Sequence, residues 1–193
     1  MKYFLITLAM FACVSTQAQA IVISFEPSSQ TVEIGDTVNV DLRISELGND
    51  ILTGFDLDVS FDDSILGFNG VDFGTGLDVF GLGTINDVID FGFGTVNVFE
   101  LSFDLDSDLH AFQPDDFVLG TFNFSALNSG VSSLDASIWG LSGEFVFDDA
   151  LGYDVPESLW AEVHTGSVAV PEPGVLMLLL SGLFGLCLSR RAR

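Results

Sequence analysis

Three aspartates at alternating positions, Asp104, Asp106 and Asp108, stand ahead of Asp115, the twelfth residue of the window that opens at Asp104. Carboxylate oxygens at such intervals suit a hard divalent cation, and the run has the outline of a calcium loop. Its sixth residue, where such loops turn on glycine, is Leu109, and its twelfth is Asp rather than Glu. Acids on the solvent face of a strand produce the same alternation, so both readings stand. The pairs Asp62-Asp63, Asp115-Asp116 and Asp148-Asp149 add further oxygen ligands, so calcium is the ion the chain would favour, although nothing in it requires a cofactor. A second chemistry is open to Trp139, Tyr153 and Trp160, whose rings can stack on sugars while their polar edges stay wet. The alternative for both tryptophans is the core, where indoles are mostly buried.

Catalysis finds less to work with. Residues 21–170 hold His110 and His164 but no Lys and no Cys. Neither a Gly-x-Ser-x-Gly elbow nor a His-Glu-x-x-His helix is present, and a lone histidine needs a positioned partner to move protons. Glycoside hydrolysis needs two acids at a set separation, which some pair among the 27 acids of this stretch will meet by chance. The sequence indicates a protein that is not an enzyme. Nucleic acid is excluded as a partner: the whole chain carries 28 Asp plus Glu against 5 Lys plus Arg, a formal charge of -23. Affinity for phosphate backbones comes from the cations that are missing.

Both ends read as export signals. Lys2 precedes an apolar run over residues 3–14, and Ala18 and Ala20 flank Gln19 in an A-x-A cleavage pattern, which predicts a signal peptide over residues 1–20. Twelve apolar residues are too few for a span, which takes roughly 20. At the other end Pro171-Glu172-Pro173 leads into an apolar run over 175–188 and then Arg190, Arg191 and Arg193. This predicts a short transmembrane helix with its arginines held in the cytoplasm. Fourteen residues rise only about 21 Å, so local thinning or snorkelling must cover the shortfall. The order of motif, helix and basic tail over 171–193 resembles the PEP-CTERM sorting signal of Gram-negative bacteria. That resemblance implies recognition and cutting near Pro171 by an exosortase-type enzyme, a transient stay in the inner membrane, and release to the cell surface or extracellular matrix.

The body, residues 21–170, has one cation, Arg43, and a formal charge of -26. Cys13 and Cys187 both lie in the terminal segments, so the body has no disulfide and no thiolate metal site. Its apolar residues alternate with a period of two, as in Val38, Val40, Leu42 and Ile44, or Phe55, Leu57, Val59 and Phe61. Strands are predicted over 21–25, 30–34, 37–44, 54–61, 95–103, 117–126, 131–139, 144–147 and 163–170. No amphipathic helix is evident, so two antiparallel sheets must cover each other, giving an all-β sandwich. Seven glycines between Gly70 and Gly94 read as turns between short strands, with a loop exposing Phe80 or Phe91 to a ligand as the functional alternative.

The order Ile23-Ser24-Phe25-Glu26-Pro27, Val32 to Val40 with Gly35 at the turn, Gly54 to Asp62, Ile65 to Phe68, Leu119 to Leu127 and a closing Gly166-Ser167-Val168-Ala169-Val170 resembles a cohesin domain. The resemblance implies a jelly-roll-like sandwich related to carbohydrate-binding modules, extracellular and without catalysis. No ligand residue carries over with it. Together the two resemblances imply an exported binding or scaffold module, with polysaccharide as its expected ligand. The alternative expectation is a calcium-bridged matrix protein that binds proteins or copies of itself.

Overall fold

A computed structural model describes residues 21–144 and 159–166. The chain forms β1 (Val22–Glu26), β2 (Ser29–Val32), β3 (Thr37–Ser45), β4 (Gly54–Ser60), β5 (Leu66–Phe73), β6 (Thr84–Gly92), β7 (Thr95–Ser102), a helix α1 (Asp106–Phe112), β8 (Phe117–Ala126), β9 (Gly130–Ser142) and β10 (Trp160–Thr165). Two sheets face each other. One has four strands in the order β1-β3-β8-β5, and the other has six in the order β2-β10-β9-β4-β7-β6. The sandwich expected from the alternation is thus present, antiparallel in every pairing except β10 with β2, which is parallel.

The alternating residues supply the core as their period requires. Val38, Val40, Leu42 and Ile44 of β3 meet Phe55, Leu57 and Val59 of β4 across the interior, joined by Val96 and Val98 and by Phe122 and Phe124. Edge-to-face rings hold one end: Phe124 lies 5.1 Å from Phe61 and 5.8 Å from Phe68. Such pairs add about 1 kcal/mol each beyond the area they bury.

The glycine-rich stretch is turns between short strands, as expected: β5 runs to Phe73 and β6 fills Thr84–Gly92, while the Gly74/Gly76, Gly81/Gly83 and Gly92/Gly94 pairs lie at or beside the turns. Other expectations need correction. β5 shifts register between Phe68 and Gly70, which breaks its alternation. A helix is present where none was expected, and Asp106 and Asp108 lie in its first turn rather than along a strand. The last strand is Trp160–Thr165, so it begins before the expected 163, and the expected strand at 144–147 has Glu144 outside any element and its remainder outside the described residues. The two terminal segments, with Ala18, Ala20, Pro171, Glu172, Pro173, Arg190, Arg191 and Arg193, also lie outside the described residues. No helix among the described residues is long and apolar enough to cross a membrane.

Candidate binding face

Residues directly opposite in antiparallel strands share a face, so the registers define what the six-stranded sheet shows to solvent. Ile85, Asp87 and Ile89 of β6 stand against Leu101, Phe99 and Asn97 of β7. Phe99 and Asn97 stand in turn against Asp56 and Asp58 of β4. β9 adds Ser137 opposite Asp58 and Asp135 opposite Ser60, and β10 adds Trp160 opposite Asp135. The reverse of the same strands carries the core, so this is the outer face of a half-buried sheet.

Its apolar content is high for a solvated surface. Ile85 and Ile89 are exposed, Trp139 is 71% exposed and Trp160 46%. Both tryptophans therefore leave the core to the phenylalanines, which resolves the choice the sequence left open. Trp139 is the extra residue at an irregularity in the β4–β9 pairing, between Ile138 opposite Leu57 and Gly140 opposite Asp56. Such a bulge re-aims a side chain. The Trp139 indole N–H donates to Asp58 Oδ2 at 2.8 Å, which fixes the ring over the sheet. Asn97 Nδ2 donates to Asp56 Oδ1 at 2.8 Å and to Asp58 Oδ1 at 3.0 Å, so the carboxylates are held in place.

The face has acids and no Lys or Arg. Arg43 lies in the other sheet, where it pairs with Glu26 at 3.3 Å and with Asp116, whose hydrogen bond chiefly raises the guanidinium pKa. His164 of β10 lies 3.3 Å from Glu162 on the same strand. Beneath Phe99 and Leu101, Glu100 points into the interior and is 1% exposed. Burial pushes its carboxyl up to about 7, against the lowering effect of hydrogen bonds from Thr84 and Asn86, and Asp78 adds to the rise. Its Oε2 has no hydrogen-bond partner.

The acids singled out for calcium are not brought together. Asp104, 7% exposed, accepts the backbone N–H groups of Phe80 and Leu82, and Asp115 Oδ1 accepts that of Gly48. Among the described residues no group of three or more His, Cys, Asp or Glu could hold a metal ion. Tyr153 lies outside the described residues. Phe80 and Phe91 are both exposed, and Phe80 stacks on Phe112 of α1 with centroids 6.2 Å apart. Sequence reasoning missed Ile85, Ile89 and Phe93. The cue for all three was a β-branched and aromatic run at 84–93 that the flanking glycines obscured.

Comparison with known proteins bears on the body and the C-terminal segment separately. The model of the PEP-CTERM protein-sorting motif matches residues 169–191. This motif implies exosortase-type processing, passage through the membrane and export to the cell surface. No curated protein matches the chain. The fold is that of cohesins. A cohesin from a type I cohesin–dockerin complex of Clostridium thermocellum aligns with a TM-score of 0.60 at 13% identity, over 76% of this chain and 99% of that one. A type II cohesin domain from the cellulosome of Acetivibrio cellulolyticus gives 0.58 at 17%, over 74% and 94%. A non-cellulosomal cohesin from the archaeon Archaeoglobus fulgidus gives 0.57 at 13%, over 78% and 94%.

Proposed function

We propose that this chain is an exported, non-enzymatic binding module that docks a protein partner on the outer face of its six-stranded sheet. The observation that carries this reading is the set of exposed Ile85, Ile89, Trp139 and Trp160 on one sheet face, beside half-buried Phe99 and Leu101. Aliphatic side chains at this density gain little from a sugar and much from an apolar protein surface. Asp56, Asp58, Asp87 and Asp135 around them, with no cation in return, call for a partner that brings Lys or Arg to the rim. Several of the solved neighbours come from cohesin–dockerin complexes, which is consistent with a sandwich used for protein docking. The test is to isolate extracellular proteins of the producing cell that bind the chain and measure their affinity for variants. Ile89→Asp and Trp139→Ala should each weaken a true partner at least about tenfold, since anchors of this kind dominate interfaces. Unchanged affinity in both would overturn the reading.

A second reading, polysaccharide, is favoured by one feature: the hydrogen bond from Trp139 to Asp58 holds a flat ring at the surface beside fixed carboxylates, as a sugar-stacking site needs. Calorimetry with the producer's own polysaccharide decides it. Heat that vanishes in Trp139→Ala supports sugar, and no heat in the parent chain removes it.

A further inference from the structure

The strand registers place five chain segments at one end of the sandwich: the β2–β3, β4–β5, β6–β7 and β8–β9 turns and the exit of β10. Gly166 N–H bonds Val32 O at 3.1 Å, Gly35 N–H bonds Ala126 O at 2.8 Å, Leu127 N–H bonds Ile65 O at 2.8 Å and Phe61 N–H bonds Gly94 O at 2.8 Å. Three of those turns each carry a large exposed apolar residue, Ile34, Phe93 and Leu127, with exposed Phe91 close to Phe93 in the chain.

Phe93 is the least ordinary of them. The pairing of Gly92 with Thr95 leaves Phe93 and Gly94 as a two-residue hairpin turn, with φ of 54° and 72°. Asn or Gly serves such a turn at little cost, whereas a bulky ring at positive φ is strained. Here the ring is also 95% exposed, so no packing of the ring among the described residues offsets the strain. The second turn position admits only glycine, because a side chain on Gly94 would meet Phe61 O at 2.0 Å. Strained residues of this kind mark places where something outside the fold makes use of them.

The chain that follows Gly166 indicates what that is. Eight residues, 167–174, separate it from the apolar run at 175–188, a reach of roughly 30 Å at full extension, and Pro171 and Pro173 stiffen it. We propose that the end of the sandwich bearing Ile34, Phe93 and Leu127 rests on the lipid surface while the C-terminal segment is inserted, with the Phe93 ring at the level of the acyl chains. The proposal rests on reading 175–188 as a membrane segment. A membrane segment of that length is short for a bilayer and would draw its flanks, and the body with them, toward the interface. Tethering makes weak apolar contacts sufficient, because the local lipid concentration is high. Glu33, Asp36, Asp62, Asp63 and Asp90 sit at or next to the same end, so charge opposes the contact and salt should strengthen it.

The test uses the full-length chain reconstituted into vesicles of phosphatidylethanolamine and phosphatidylglycerol, with Phe93→Trp as a probe and the parent chain subtracted to remove Trp139 and Trp160. The expected result is blue-shifted added emission that acyl-brominated lipid quenches. Added emission at the aqueous wavelength, unquenched, in a chain that still floats with the vesicles overturns the proposal and leaves the membrane segment intact. A chain that does not float overturns both. Blue-shifted emission that brominated lipid leaves alone also overturns it, since the ring is then buried in protein.

Discussion

The Asp104 carboxylate accepts the Phe80 backbone N–H at 2.9 Å through Oδ2 and the Leu82 N–H at 3.2 Å through Oδ1. One buried side chain thereby organises the loop between β5 and β6, helped by Asp78, whose Oδ1 accepts the Gly83 N–H at 2.8 Å. Hydrogen bonds to a charged acceptor are among the stronger ones, and their loss leaves partly buried donors without a protein partner. Asp104→Ala should cost about 3 kcal/mol in chemical denaturation, and Asp104→Asn, which keeps one acceptor oxygen, about half of that. A loss below about 0.5 kcal/mol for the alanine variant would mean that water replaces the carboxylate without penalty.

Glu100 makes stability fall as pH rises. Its folded pKa of about 7 lies above the ordinary value of 4.5, so the folded chain binds more protons than the unfolded chain between those two values. This contribution is complete below about pH 4.5, is lost progressively up to about pH 7 and is flat beyond, amounting to about 3 kcal/mol at most. Glu100→Gln keeps the shape without the charge. Its melting temperature should exceed that of the parent chain by several degrees at pH 8 and match it at pH 5. The many exposed acids titrate alike in both proteins and cancel in the difference. Parallel pH profiles would show that water reaches Glu100 in the folded state.

The sandwich was legible because burial on one face forces a period of two, and β3 and β4 obey it without interruption in their apolar residues, whereas β7 turns Phe99 and Leu101 outward past Val98 and β8 changes phase at Gly120. Where one-sided burial fails, the signal fails with it. β6 is the edge strand of the longer sheet, and its central residues Ile85, Asn86 and Asp87 are all exposed, so nothing constrains them to alternate. α1 has seven residues with only Leu109 buried, too short to establish a helical period. The two tryptophans were found as candidates by type. Their exposure was not readable, because Trp139 owes it to a pairing irregularity with β4, some eighty positions away in the chain.

The strain at Phe93 has a measurable consequence for folding. Phe93→Gly places at φ of 54° a residue that adopts the angle freely, and the lost ring is 95% exposed, so little packing goes with it. The variant should be more stable than the parent by about 1 kcal/mol in denaturant titration, net of the extra freedom glycine gives the unfolded chain. A destabilised variant would show that the ring packs on the fold in solution.

Calcium should leave the described sandwich unchanged. The oxygens of Asp104 are committed to the Phe80 and Leu82 N–H groups, Asp116 pairs with Arg43, and Asp106 and Asp108 sit in the first turn of α1. An ion that bound the folded chain would raise its melting temperature in proportion to the logarithm of its concentration. Melting curves in calcium and in chelator are expected to coincide. A rise of several degrees with calcium would place a site among acids such as Asp148, Asp149 and Asp154, which lie outside the described residues.

Asp58 separates the two uses open to the sheet face. It accepts from Trp139 through Oδ2 and from Asn97 through Oδ1, so it positions the indole without being the apolar anchor. If the face docks a protein, the ring's burial matters most, and Asp58→Asn, which can still accept from the indole through its amide oxygen, should change affinity less than about threefold. Trp139→Ala should then cost tenfold or more by losing the buried ring. If the face holds a sugar, the carboxylate is itself a hydrogen-bond acceptor for ring hydroxyls, and acceptors to a charged group are worth about 2 kcal/mol. Asp58→Asn would then weaken binding as severely as Trp139→Ala. Melting temperatures within about 2 °C of the parent in both variants would confirm that the losses arise at the face, since both side chains lie outside the core.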